Sequence, residues 1–211
     1  MINPFEKLAD VLAVKSAASS TKYKTPDDLE ILRYGIYVLI TDMVKTTVLL
    51  TTAYLLGLIQ YTIFAIAAIG LLRIFVGGVH AKTFWGCLIA NSSMLLSVSY
   101  LSANIIKHFS LILFIISLTA ILITTYLYAP SDIENKPVRG KKHRRKLRTI
   151  SFSIIFAYSF LIYFLRNNAF SVILTFSFLV NSVMILPVTY RITKNRTGEY
   201  YDQKVVIAKD S

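Results

Sequence analysis

The chain has 211 residues, of which 55% are hydrophobic and only 16% charged, and its mean hydropathy is +0.59. This is too apolar for an ordinary soluble domain, in which about a quarter of the residues are charged. The net charge of +12 does not indicate nucleic-acid binding, because the basic residues fall between long apolar runs instead of along one polar face. We therefore predict an all-α, polytopic membrane protein with about six transmembrane helices, forming a single membrane-embedded domain over residues 1–211.

The N-terminal segment, residues 1–25, is predicted to contain an amphipathic helix. Apolar residues recur there at helical spacing, namely Phe5, Leu8, Val11 and Leu12. Such a helix lies on a membrane surface or packs on the cytosolic face of its own protein, and the pattern leaves both open. Thr25, Pro26 and Asp27 then predict the start of the next helix.

Six apolar runs follow, and a bilayer requires about 20 residues of helix. Their predicted bounds are 29–58, 58–76, 84–101, 109–128, 150–165 and 170–190. Asp42 and Lys45 interrupt the first run, three residues apart on one face. Since ionisable groups are costly inside a membrane, we expect them to pair with each other or with another helix.

Basic residues predict the orientation of these spans. Residues 129–149 are predicted to form a basic cytoplasmic loop, with seven Lys and Arg residues between Arg139 and Arg148, and residues 191–211 a polar cytoplasmic tail. If both termini are cytoplasmic, the outer connections hold only Lys107 and Arg166, and Lys45 lies within a span. The positive-inside rule therefore favours this topology.

The stretch from the end of the second span into the start of the third combines a nucleophile with a base. It contains Gly77, Gly78, His80 and Cys87, the only cysteine in the chain. Peptide-bond attack requires a thiolate, and a histidine alongside can take the thiol proton and return it to the leaving amine. A lone cysteine in an apolar segment is otherwise a small packing residue, which is the alternative interpretation.

Several neighbours could support this pair. Arg73 could hold a substrate carboxylate or favour the thiolate, and Asn91 and Ser92 are candidates for an orienting residue one turn after the cysteine. With one cysteine and no H-E-x-x-H motif, we expect no metal site and no cofactor.

The pair must also be brought together. On one unbroken helix, residues seven apart are about 10 Å apart along the axis, which is too far for a hydrogen bond of about 3 Å. We therefore predict that Gly77 and Gly78 end the second span, and that His80 folds back over the first turns of the third, where Cys87 lies.

At these spacings Arg73, Gly78, His80 and Cys87 resemble the accessory gene regulator B (AgrB) family of bacterial membrane endopeptidases, and the run from Ala129 to Pro137 resembles the polar segment that this family carries before its basic loop. The resemblance implies a multi-pass protein of the bacterial cell membrane. It also implies that a cysteine endopeptidase removes the C-terminal tail of a short quorum-sensing peptide precursor, AgrD, and closes the remainder into a thiolactone or lactone.

The implied partners are the lipid bilayer and an amphipathic precursor with an acidic C-terminal tail, with a homodimer left open and no nucleic acid. We expect four basic residues to attract the acidic tail: Lys141, Lys142, Arg144 and Arg145. Topological anchoring and contact with anionic lipid explain them equally well. The orientation above places both termini and the site on the cytoplasmic side. The alternative function is a non-enzymatic membrane transporter or signalling scaffold.

Overall fold

A computed structural model describes residues 4–18, 25–79, 83–105, 110–131 and 140–193. Within these ranges the chain forms α-helices and no strand, and it divides into two compact units, Met1–Thr52 and Ala53–Ser211. The helices are α1 (Pro4–Ala18), α2 (Pro26–Leu55), α3 (Ile59–Val76), α4 (Phe84–Tyr100, followed by a π-helical turn Leu101–Ile105), α5 (Leu111–Tyr128), α6 (Lys141–Phe164), α7 (Ala169–Ile185) and α8 (Pro187–Ile192). The single domain expected from the sequence stays a prediction.

The helices have the lengths and compositions of membrane spans. Among the described residues, five are long and apolar enough to cross a bilayer: α2 from Asp28, α3, α4 with its extension to Asn104, α5 and α6. The apolar helix α7, with 17 residues, is about one turn shorter than a typical span. Large apolar side chains on these helices are exposed, such as Ile63, Ile112 and Phe156. Hydrocarbon solvates such a surface and water does not, so the predicted all-α polytopic membrane protein is confirmed.

The first unit contains α1 and most of α2. The side chain of Thr25 accepts a hydrogen bond from the Asp28 amide at 3.2 Å, and the Asp28 carboxylate accepts one from the Thr25 amide at 3.3 Å. This reciprocal cap confirms the helix start expected there. Lys45 and Asp42 form the expected ion pair at 3.2 Å, and Arg33 pairs with Asp10 of α1 at 2.5 Å. Helix α1 confirms a helical N-terminal segment, while its place on the membrane surface stays a prediction.

The second unit is built around α7, which packs against α3, α5 and α6. Small residues allow this close approach, and buried hydroxyls on α7 donate to carbonyls of their own helix, as Ser182 does to Phe178 at 2.7 Å. Two longer side chains join neighbouring helices. The Tyr158 phenol of α6 donates to Ala68 of α3 at 3.0 Å, and Thr62 of α3 donates to Ser99 of α4 at 3.1 Å.

Two sequence predictions need correction. The basic segment is not a loop throughout residues 129–149, because α6 begins at Lys141 and includes most of its charges. Lys, Arg and Leu are good helix formers, and Gly140 with φ +90° provides the turn into the helix. The sixth apolar run is also not one helix from 170 to 190. It stops at Ile185 and resumes at Pro187, because proline disfavours helical geometry in the residue before it.

Five helix ends meet at one end of the second unit. Backbone hydrogen bonds join the segment after α3 to the segment after α5 and to the last turn of α7, since Gly78 donates to Ser131 and Val79 donates to Met184. Side chains from the start of α6 reach the same segment after α5. This end also includes the break between α3 and α4, where the sequence places its candidate site.

Candidate active site at the α3–α4 break

The second and third spans are separate helices. Helix α3 ends at Val76, and the next two residues are glycines with φ of +86° and +137°, a region that other residues rarely adopt. Helix α4 begins only at Phe84. The prediction that Gly77 and Gly78 end the second span is therefore confirmed. His80 lies outside the described residues, so its contact with Cys87 stays a prediction.

Residue 77 must be a glycine for two reasons, its own positive φ and the close approach of Ser131. The amide of Ser131 donates to Val76 at 2.9 Å, and the carbonyl of Ser131 accepts from Gly78 at 3.1 Å, which forms an isolated parallel bridge across residue 77. A Cβ atom on residue 77 would lie 1.9 Å from the Ser131 oxygen. The two chains approach this closely only because residue 77 has no side chain.

The residue after the glycines is held on both of its backbone groups. Val79 is buried, its amide donates to Met184 at 3.2 Å, and its carbonyl accepts from a terminal nitrogen of the Arg73 guanidinium. The segment 77–79 is thus fixed by α5, by α7 and by a side chain of α3. This gives the chain a defined direction where it leaves α3 toward residue 80.

Cys87 is the fourth residue of α4, at the end of its first turn, as the sequence predicted. Thr83 caps this helix, since its hydroxyl accepts from the Gly86 amide at 3.1 Å and its carbonyl accepts from Cys87 at 2.9 Å. The thiol is free and half-buried. A helix N-terminus favours negative charge, so this position suits a thiolate and an oxyanion that develops near it.

Arg73 lies close enough to Cys87 and to Tyr190 for its charge to interact with both groups when they are ionised. Its Nε atom is buried and has no hydrogen-bond partner within the described ranges. An arginine within a span is costly unless it has a function or a partner. Both roles expected for Arg73 from the sequence, holding a substrate carboxylate and favouring the thiolate, stay predictions.

Contacts within the structure give less information about the two candidates for an orienting residue. Asn91 and Ser92 are half-buried one turn after Cys87, and Asn91 is on the same face of α4. Neither side chain forms a hydrogen bond to another residue in the part of the chain that the structure describes. Their role as an orienting residue stays a prediction.

The basic residues at the start of α6 divide into two faces. Arg144 donates to the Pro130 carbonyl at 3.2 Å and Arg148 to the Ala129 carbonyl at 2.8 Å, so this face supports the segment beside Gly77. The residues on the other face are exposed, namely Lys141, Lys142, Arg145 and Lys146. The sequence did not distinguish Arg144 from its exposed neighbours, because its partner carbonyl is 14 residues away.

Sequence reasoning missed Ser131 and Tyr190. The Ser131 hydroxyl donates to the Tyr190 phenol oxygen at 2.8 Å, and Tyr190 is buried within range of the Arg73 charge. The two residues are 59 positions apart, and neither lies in a catalytic pattern. Only the three-dimensional arrangement shows that they adjoin the candidate site.

Comparison with known proteins identifies a family to which the chain is similar. A model of the family described as "Accessory gene regulator B" matches residues 5–185. The chain is 27% identical to a protein of Clostridium acetobutylicum named "Putative AgrB-like protein", over 93% of this chain and 92% of that one. Proteins with the same name from Listeria innocua and Listeria welshimeri are 25% and 24% identical, each over 92% of this chain and 93% of theirs. No solved structure matches the chain significantly.

Proposed function

Because the chain belongs to the accessory gene regulator B family, we propose that it is a membrane cysteine endopeptidase that cuts a short quorum-sensing peptide precursor and promotes cyclisation of the product. Family membership assigns the protein to the accessory gene regulator system, and its helices make it a multi-pass membrane protein. The observation that carries the proposal is the place of Cys87. The only thiol of the chain is half-buried in the first turn of α4, just after the glycine break and within range of the Arg73 charge.

Cleavage follows the chemistry of a thiol nucleophile. His80 takes the proton of the Cys87 thiol, and the sulfur attacks the carbonyl carbon of the bond before the C-terminal tail. The α4 N-terminus stabilises the oxyanion that forms on the carbonyl oxygen. The intermediate then expels the tail as an amine, which receives the proton from His80. The remaining peptide is left as a thioester on Cys87.

Cyclisation requires only a second acyl transfer. A thiol or hydroxyl within the bound peptide attacks the thioester carbonyl, the bond to Cys87 breaks, and the sulfur recovers its proton. Exchange of one thioester for another is close to isoenergetic, so ring closure to a thiolactone needs no ATP. The apolar surroundings of the bundle favour the peptide's own nucleophile over water.

Arg73 has a supporting role in this scheme. Its terminal nitrogen holds the Val79 carbonyl, which fixes the chain just before His80, and its charge lies near Cys87. It therefore orients the turn, and its charge can hold a carboxylate of the bound peptide. Asn91 and Ser92, one turn along α4, are the candidates for orienting His80.

The exposed basic face of α6 is proposed to attract the acidic tail of the precursor. Lys141, Lys142 and Arg145 are exposed on this face, whereas Arg144 already donates to Pro130. Clustered charge raises the local concentration of an anionic peptide. The positive-inside rule orients this face, both termini and the site toward the cytoplasm, where a new precursor is made.

A non-enzymatic transporter or scaffold is the second candidate, because a glycine break between spans and a charged pair within a span are also features of transporters. Co-expression with the precursor followed by mass spectrometry separates the two functions. The proposal predicts a shortened cyclic peptide with the wild-type protein and intact precursor with Cys87→Ala. Cleavage that persists in Cys87→Ala membranes would refute the cysteine peptidase.

A further inference from the structure

A buried hydrogen bond joins the segment after α5 to the short helix α8. The Ser131 hydroxyl donates to the Tyr190 phenol oxygen at 2.8 Å, and the Tyr190 residue is only 3% exposed. A buried phenol is costly unless it is hydrogen-bonded, so this contact fixes the position of the ring. It also fixes the Ser131 side chain at the end of the bundle that contains Cys87.

Ser131 transmits this position to the glycine turn. Its side chain contacts Tyr190, while its amide donates to Val76 and its carbonyl accepts from Gly78. The same residue therefore connects α8 with both sides of Gly77. A displacement of Ser131 must therefore strain or break its two backbone hydrogen bonds, to Val76 and from Gly78, which hold the turn before His80.

Tyr190 reaches the site by a second route. It is close enough to Arg73, whose guanidinium donates to the Val79 carbonyl, for the two groups to interact electrostatically when the phenol is ionised. The tyrosine is carried on α8, which is separated from α7 by the break before Pro187. The break thus lets the chain turn after α7 and place a phenol within hydrogen-bond distance of Ser131.

We propose that Tyr190 and Ser131 are a positioning pair for the Cys87 site, because their hydrogen bond holds the residue that pairs with both sides of Gly77 and so fixes the 77–79 turn. This inference rests on the proposed peptidase function and extends it to two residues outside the Gly77 to Cys87 stretch. Neither residue is required to touch the peptide. Their effect is on the geometry of the groups that do.

The first test compares turnover of the full-length protein in liposomes with a synthetic precursor. We expect Tyr190→Phe and Ser131→Ala each to lower kcat by roughly 3- to 10-fold, the size expected for one neutral hydrogen bond, with little change in KM. The matched control is Tyr158→Phe, which removes another buried phenol whose hydroxyl donates to Ala68 within the bundle. The control should lower the melting temperature and leave kcat unchanged at a temperature where all variants are folded.

Two further variants separate positioning from general stability. If the two side chains act as one pair, the double variant should lose no more activity than the more severe single variant, whereas independent effects would multiply. Ser131→Thr keeps the hydroxyl and should restore most of the activity lost in Ser131→Ala. Unchanged kcat in both single variants, or multiplicative losses in the double variant, would overturn the proposal.

A readout that needs no peptide distinguishes this inference from the proposed function. Cys87 is the only cysteine, so the rate of maleimide alkylation of the membrane protein reports on that thiol alone. The reactivity of a thiol depends on its access and surroundings, which a shifted 77–79 turn would alter, and we expect Tyr190→Phe to change the alkylation rate several-fold while Tyr158→Phe does not. If wild-type protein fails to cut the precursor but this difference is found, the peptidase fails and the positioning pair stands. Equal alkylation rates in the two variants would overturn the pair.

Discussion

The carbonyl oxygen of Ser131 lies 1.9 Å from the point that a Cβ atom on Gly77 would occupy. Nonbonded atoms do not approach this closely, so any side chain at residue 77 must displace the segment after α5. That segment is itself held by Arg144 and Arg148. The start of α6 thus supports the segment that packs against the glycine turn, and the site depends on α3, α6, α7 and the segment after α5 as well as on α4, which carries Cys87.

Gly77→Ala should therefore disrupt the site. The added methyl group clashes with Ser131 and meets an unfavourable φ, and we expect a loss of about 1–3 kcal/mol in stability together with most of the processing activity. The measurements are the melting temperature in detergent and precursor cleavage in membranes. Gly70→Ala is the matched control, because residue 70 lies within α3 and has open space around it. Equal melting temperatures and equal activities for the two variants would contradict the close approach.

His80→Ala should reduce cleavage by about 100- to 10,000-fold while the protein still inserts in the membrane, because general acid–base catalysis contributes on that scale. The measurement is the initial rate of precursor cleavage at equal protein levels. His108→Ala is the control, since that histidine lies in a predicted outer connection, away from the site. A rate for His80→Ala within a few-fold of the control would show that another group is the base.

The two faces of the α6 N-terminus should respond differently to neutralisation. Replacing Lys141, Lys142 and Arg145 with Gln should raise KM several-fold at low salt and less at high salt, because exposed charges act through a screened field. Replacing Arg144 and Arg148 should instead lower the melting temperature, since their guanidinium groups hold the carbonyls of Pro130 and Ala129. An unchanged KM in the first variant, with topology intact, would leave only anchoring and lipid contact for this face.

Much of the fold was predictable because local sequence determines it. The capping pattern at Thr25, the glycines after Val76 and the proline after Ala129 each stop or start a helix through their own backbone chemistry. Pro187 likewise indicates a helix break, although the apolar run from 170 to 190 predicts a single span. Hydropathy alone therefore concealed a break that the proline indicated.

Contacts between distant segments were not predictable in this way. Arg144 and Arg148 of α6 donate to carbonyls on a segment that precedes their helix, and charge density alone does not distinguish them from their exposed neighbours. Likewise, no local pattern around Ser131 or Tyr190 predicts the hydrogen bond between them, because the two residues are 59 positions apart. The cysteine and its glycine break were identified from sequence, whereas the side chains that support them required the fold.

The most direct measurement is the mass of the protein during turnover. A precursor whose ring-closing thiol or hydroxyl side chain is replaced by alanine cannot resolve the thioester by cyclisation, so the acyl-enzyme should accumulate. After an acid quench, intact-protein mass spectrometry should find the wild-type protein heavier by the N-terminal portion of the precursor, with fragmentation placing the adduct on Cys87 and hydroxylamine removing it. Cys87→Ala should carry no adduct and release no tail. Release of the tail by Cys87→Ala at the wild-type rate, or an adduct on another residue, would contradict a peptidase that acts through Cys87.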